Sequence, residues 1–88
     1  MKTVYKFPLE IQDSQVVKMP SGAEIFSIGM QRKTPCIWAL CDSDKASEAR
    51  VILIRGTGQP CIGISKEDHL GTFIMLGGDL VFHVFESK

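Results

Sequence analysis

The 88 residues carry ten basic and ten acidic side chains, so the formal net charge is zero. A chain of this length holds one domain with one small core, and its 44% hydrophobic content excludes a disordered chain. Balanced charge excludes a protein built to coat DNA or RNA, which needs a basic excess to displace counterions.

The chain opens with Val4-Tyr5-Lys6-Phe7, a β-prone run within residues 3–9. Pro8 places this strand at a sheet edge or marks its end. Residues 15–19 form a second short run, and Pro20-Ser21-Gly22 supplies a turn, since proline fixes φ and glycine accepts positive φ. Residues 23–31 alternate, with Ile25, Ser27 and Gly29 on one face and Phe26, Ile28 and Met30 on the other, the period of a half-buried strand. Residues 31–35 are polar and end in proline, which reads as a hairpin connection. Cys36-Ile37-Trp38-Ala39-Leu40-Cys41 is apolar on both faces and is expected to be a central strand. Residues 42–49 (DSDKASEA) are the best helical candidate, with Asp42 or Ser43 as cap; an exposed turn or loop is the alternative.

Residues 50–55 are a strand, ended by Gly56-Thr57-Gly58-Gln59-Pro60. Residues 61–64 read as a weak strand or extended segment and 65–68 as one helical turn, which leaves 59–70 open between strand, helix and loop. Residues 71–76 form another strand. Gly77-Gly78-Asp79 signals a tight hairpin, because two glycines permit the primed turns that match strand twist. Residues 80–86 close the chain as a strand. The sum is a mainly β fold, a single domain over residues 1–88 with six or seven strands and at most one or two short helical turns. A small antiparallel meander, as a compact sandwich or partly open barrel, satisfies it.

No apolar run approaches the 18 residues of a membrane helix, and the first residues lack the apolar core and cleavage site of a signal peptide. The three cysteines form no CxxC pair, which fits reduced thiols and a cytoplasmic location. Each lies in an apolar run, so buried, inert thiols are expected. Val81, Phe82, Val84 and Phe85 fall within five residues. One small domain covers both faces of such a strand with difficulty, and sheet edges invite pairing. A homo-oligomer, most simply a two-fold dimer, is therefore expected.

The segment most suggestive of chemistry is Arg55-Gly56-Thr57-Gly58-Gln59-Pro60. Glycines after a strand let backbone N–H groups turn toward an anion, and Arg55 can add a bidentate phosphate contact. It matches neither a P-loop nor a dinucleotide fingerprint, and a glycine-rich turn or bulge is the plainer alternative. Trp38, the only tryptophan, offers a ring for base stacking but has core-like neighbours. Lys18, with Arg32 or Lys33, is a candidate to complete the charge from a partner subunit. By alternation His83 shares a face with Val81 and Phe85, either as a ligand-binding or pH-sensing group or as a hydrogen-bonded histidine of a sheet surface. His69 is expected to be solvated in a polar loop. Two histidines and three cysteines sit at no metal-ligand spacing, so neither metal nor cofactor is expected. No nucleophile elbow or HExxH appears, and Asp42 and Asp44 read as a solvated cap, so the chain is not expected to be an enzyme.

The order of several blocks carries a resemblance. Val4-Tyr5-Lys6-Phe7-Pro8-Leu9 is followed by Met19-Pro20-Ser21-Gly22-Ala23-Glu24-Ile25, Trp38-Ala39-Leu40, Gly56-Thr57-Gly58 and Gly71-Thr72-Phe73. Gly77-Gly78 and Leu80-Val81-Phe82-His83-Val84-Phe85-Glu86 close it. Over nearly the whole chain this resembles a family of small uncharacterised β-rich proteins encoded by phages and prophages. The resemblance implies a phage-type accessory protein of the host cytoplasm and supplies no catalytic residues. Small phage proteins include anti-defence sponges, which bind cyclic oligonucleotides or other nucleotide immune signals without turning them over. This chain is similar to them in size, cytosolic character and expected assembly.

Two expectations result. In the first, the protein sequesters a small phosphate-bearing nucleotide signal of cyclic-oligonucleotide or ADP-ribose type, using Arg55, Gly56, Thr57, Gly58, Trp38 and Lys18. In the second, it is a protein-interaction module that inhibits or adapts a host or phage protein through a sheet edge or apolar patch.

Overall fold

In the computed structural model, which describes residues 1–87, seven strands form two antiparallel sheets. The strands are β1 (Lys2–Pro8), β2 (Ser14–Pro20), β3 (Glu24–Gln31), β4 (Thr34–Asp42), β5 (Ser47–Gly56), β6 (His69–Met75) and β7 (Leu80–Glu86). One sheet has the order β1-β4-β3, the other β2-β5-β7-β6. The only helical pieces are 3-10 turns over Lys66–Asp68 and Leu76–Gly78. The mainly β architecture is thus the sandwich of the two expected forms. Only β3–β4 and β6–β7 pair as sequence neighbours; the chain changes sheet after β1, β2 and β4.

The inner faces of the two sheets meet in one core. Ile37 of β4 packs with Ile52 and Ile54 of β5, Phe73 of β6 and Val84 of β7, and Leu9 seals the end of β1. Met19, Ala23, Ala39 and Cys41 extend the core toward the other end. β4 is the central strand of its sheet, as its two-sided apolar pattern requires, with Cys36, Ile37, Ala39 and Cys41 all buried.

Several local expectations are corrected. The pairing of β3 with β4 shifts between Ile25 and Ser27, so Phe26 has no cross-strand partner and is left exposed as a bulge. Beyond it the strand's parity reverses. Ile25, Ile28 and Met30 therefore share the core side, instead of Ile25 opposing the other two. Residues 42–49 form no helix. Asp42 ends β4, its carboxylate accepts the Asp44 N–H and its carbonyl accepts the Lys45 N–H, and Ser47 already begins β5. The ladder Lys18↔Ala49, Met19↔Glu48, Pro20↔Ser47 outweighs the weak local helix propensity of so short a segment. Residues 61–64 are a turn closed by the Ile64 N–H on the Cys61 carbonyl, not a strand, and His69 starts β6 rather than lying in a loop. The closing strand β7 lies between β5 and β6, so it is not an edge.

Cys61 is exposed, whereas Cys36 and Cys41 are buried. The expectation of three inert thiols fails because the loop after Pro60 leaves the sheet and carries Ile62 outward with 92% of its surface exposed. Ellman titration of the native protein is expected to show one rapidly reacting thiol, with all three reacting after denaturation. Three slow thiols in the native state would contradict the placement of this loop.

Two further devices set the sandwich's shape. Arg50 on the inner side of β5 donates through Nε and Nη2 to the two carboxylate oxygens of Glu86 on β7 and through Nη1 to the Ala23 carbonyl at 3.0 Å. At the opposite side, β3 and β6 approach so closely at Gly71 that a Cβ there would lie 2.7 Å from Cβ and Cγ1 of Ile28.

Candidate functional site

The expected anion-binding bend follows β5. Most of its backbone donors are turned inward. The Gly56 N–H donates to Oε1 of Gln59 at 2.6 Å, and the Thr57 N–H donates to the Val81 carbonyl at 3.2 Å. The Gln59 N–H closes the turn on the Gly56 carbonyl at 3.0 Å, and Gly58 sits at φ +94°, a conformation suited to glycine. Arg55 is engaged through two of its three guanidinium nitrogens. Its Nη1 donates to the carbonyls of Asp13 (2.7 Å) and Ile54 (2.9 Å), and its Nε donates to that of Pro60 (3.2 Å). The guanidinium therefore ties the β1–β2 loop and the bend to β5. Two open hollows flank this knot. One of about 270 Å³ is lined by Asp13, Arg55, Gln59 and Pro60; another of about 510 Å³ includes Gly56, Thr57, Gln59 and Asp79. Each includes an aspartate, whose charge opposes that of a phosphate.

Trp38 and Lys18 do not join Arg55 within one subunit. Trp38 alternates with the inward Ile37 and Ala39 and lies half-buried on the outer face of the three-stranded sheet, opposite Ser27 and Lys6. Arg55 alternates with the buried Ile52 and Ile54 and lies on the outer face of the other sheet, on the far side of the sandwich. Lys18 shares that outer face but pairs with Ala49, six residues along β5 from Arg55, or about 20 Å at strand rise.

The register brings a different set together. Arg55, His83 and Thr72 form one row across β5, β7 and β6, and Leu53, Phe85 and His69 form the next. Thr57 Oγ1 lies 2.8 Å from Nε2 of His83, Thr72 Oγ1 lies 3.3 Å from Nδ1 of the same ring, and His69 Nε2 lies 3.3 Å from that Thr72 oxygen. His69 packs edge-on against Phe85 with centroids 5.4 Å apart. Each threonine hydroxyl can donate or accept, so which of them donates to the His83 ring follows its tautomer. A hydroxyl beside a histidine is the start of a nucleophilic pair. Here the orienting third group is another hydroxyl, which stabilises no imidazolium, and the neighbouring Gly56 and Thr57 N–H groups are already bonded.

His83 sits with Val81 and Phe85, as alternation implied. The contributions of His69, Thr72 and Thr57 depend on cross-strand register, which no local pattern displays. Beside this polar chain and Lys18, the outer face carries an apolar stripe. Val16 of edge strand β2 is 61% exposed, its partner Val51 on β5 is 37% exposed, and Leu53 and Phe85 continue the stripe half-buried.

Resolved charge perturbations lie elsewhere. The Glu86 carboxylate raises the Arg50 guanidinium above its ordinary value against the opposing effect of burial. The Met1 ammonium, hydrogen-bonded to Asp44 and Asp42, is raised in turn, and the same ammonium holds Asp42 below the usual carboxylate range. Asp42 and Asp44 therefore grip the start of β1 as well as the β4–β5 turn. Among the described residues no group of three or more His, Cys, Asp or Glu side chains is placed to hold a metal ion. No helix there is long and apolar enough to cross a membrane.

No curated protein and no solved structure matches the chain. One family model does, over residues 1–88, and its description is a domain of unknown function, DUF7352. With the whole length matched, the chain belongs to the DUF7352 family.

Proposed function

We propose that the protein is a non-catalytic protein-interaction module, and that the outer face of the β2-β5-β7-β6 sheet joins it to a second copy of itself. The observation that carries this is the apolar stripe Val16–Val51–Leu53–Phe85, with both valines exposed and the other two half-buried, on a sheet whose inner face is already filled. Shape supports it. The accessible surface of 5599 Å² exceeds the roughly 5,100 Å² expected for this mass. The radius of gyration of 13.1 Å exceeds the roughly 12 Å of a compact chain. The molecule is a slab of 40 × 31 × 18 Å whose broad face offers area of the order one protomer contributes to a stable interface, about 800 Å². Zero net charge sets no repulsion between copies.

The nucleotide-sequestering reading has less support, since Arg55 and the Gly56 and Thr57 N–H groups are bonded within the subunit. One experiment weighs both. Sedimentation equilibrium is expected to give twice the 9.7 kDa chain mass, and Val51→Lys to weaken association at least about tenfold with the fold intact, since two-fold symmetry sets like charges together. A wild-type monomer at about 100 μM would defeat self-association, given the micromolar or tighter affinity such an area supports. Heat on titration with cyclic dinucleotides or ADP-ribose, with ligand recovered intact after denaturation, would favour sequestration instead.

A further inference from the structure

A separate groove opens where the β3–β4 and β6–β7 hairpin tips diverge. From the tight contact of Gly71 with Ile28, both β3 and β6 run toward their tips. Between them lies a hollow of about 360 Å³ lined by Met30, Arg32, Lys33, Ile74, Met75 and Leu76. Its wall is aliphatic and thioether carbon, and its rim is two cations. Neither Arg32 nor Lys33 makes an ion pair with an acidic group among the described residues. Ile74 and Leu76 are 56% and 69% exposed, so apolar surface stands open to water beside uncompensated positive charge.

Backbone conformation singles out the same place. Among the described residues only two other than glycine have positive φ, Arg32 at +57° and Leu76 at +53°, and both line this groove. Left-handed backbone is sterically costly for either side chain, most of all for leucine, and asparagine or glycine would serve both turns better. Strained positions that hold an exposed side chain in place cluster where proteins bind. Met30 and Met75 supply an adaptable lining of the kind that accepts varied apolar groups. The edges of the two sheets lie side by side here, since β3 ends one sheet and β6 the other. An extended segment can align with such edges.

We propose that this groove docks a short acidic, apolar segment of a partner protein, with one aliphatic or aromatic side chain among Met30, Ile74, Met75 and Leu76 and carboxylates on Arg32 and Lys33. Charge complementarity selects the acidic chemistry, and the groove's openness favours a peptide over an enclosed small molecule. The inference rests on the reading of the protein as an interaction module but not on its self-association. The outer-face stripe is centred on β2, β5 and β7, whereas the groove lies at the opposite edge of the same sheet.

The test uses a fluorescein-labelled hexapeptide alternating glutamate with leucine, followed by polarisation and by methyl NMR of the full chain. Shifts are expected at Met30, Met75 and Leu76 with Val16 unmoved, and equally in the Val51→Lys variant, which separates this site from the dimer face. The double variant Arg32→Glu, Lys33→Glu is expected to lose at least about tenfold in affinity, corresponding to about 1.4 kcal/mol, and to gain affinity for the matching lysine peptide. Leu76→Asn relieves the left-handed leucine, so its melting temperature is expected to hold or rise while affinity falls. Peptide binding that leaves the groove methyls unmoved, or affinity unchanged by charge reversal, would overturn the proposal. So would decanoate shifting these methyls while the peptide does not bind, which would assign the groove to small amphiphiles.

Discussion

Glu86→Ala is expected to lower the melting temperature by roughly 10–20 °C, more than any other single exposed-to-core polar change in this chain. Arg50 and Glu86 are only 17% and 13% exposed, and the guanidinium meets both carboxylate oxygens while a third donor reaches the Ala23 carbonyl. Removing the carboxylate leaves the permanently charged guanidinium, mostly shielded from water, with only the more exposed Glu48 at 3.8 Å as an ionic partner. Stranding one member of a fully buried pair costs about 3–5 kcal/mol; residual solvent contact reduces this to about 2–3 kcal/mol here. In a domain of this length each kcal/mol moves the midpoint by about 4–8 °C. Replacing both partners together, Arg50→Met with Glu86→Leu, is expected to cost distinctly less, because the one charge that loses its partner, Glu48, is exposed and solvated. Calorimetry of the two variants settles the matter: equal losses would mean that the packing of the Arg50 stem, not the stranded charge, sets the cost.

That clamp also shows what the sequence conceals. Strand positions were legible because apolar blocks alternate with Gly, Pro and polar turns. Cys36 to Cys41 announced a central strand by being apolar on both faces, and the Gly77-Gly78 hairpin appears with both glycines at positive φ, though in a four-residue loop with a 3-10 turn rather than the tight primed turn expected. Pairing was not legible, because register is a relation between distant segments. Nothing local tells that Arg50 faces Glu86 or that His83 stands between Arg55 and Thr72. Residues 42–49 left helix and turn open because propensity is local, while the β2–β5 ladder that claims Ser47 to Ala49 joins residues about thirty apart in the chain. The bulge at Phe26 hid for the same reason: perfect alternation on paper says nothing about an unpaired residue that reverses parity. At the candidate site, the glycines and Arg55 were visible as residue types. The acceptors that engage them come from Gln59, Val81, Asp13 and Pro60, and only the fold brings those close.

Gly71→Val is expected to be the most damaging substitution on the sheet face, and the reason is geometric rather than conformational. Gly71 does not have positive φ, so a side chain meets no backbone objection there. It meets Ile28. A Cβ at Gly71 would stand 2.7 Å from two Ile28 carbons, inside any tolerable contact, and Ile28 is held in turn by the core cluster it packs against. Even Gly71→Ala must therefore push β3 away from β6, because the Ile28 Cβ is fixed to the backbone and no rotamer change moves it, at about 1–3 kcal/mol; valine adds two methyl groups at the same point and exceeds that range. A double-mutant cycle isolates the cause. In an Ile28→Gly background both clashing carbons, Cβ and Cγ1, are gone, and Gly71→Ala is expected to be neutral or mildly stabilising, through the lost entropy of glycine in the unfolded chain. Urea unfolding of the four species measures a coupling energy of about 1–3 kcal/mol if the two positions clash as described. Additive losses would mean that glycine is needed at position 71 for another reason, and that the two sheets do not close at this contact.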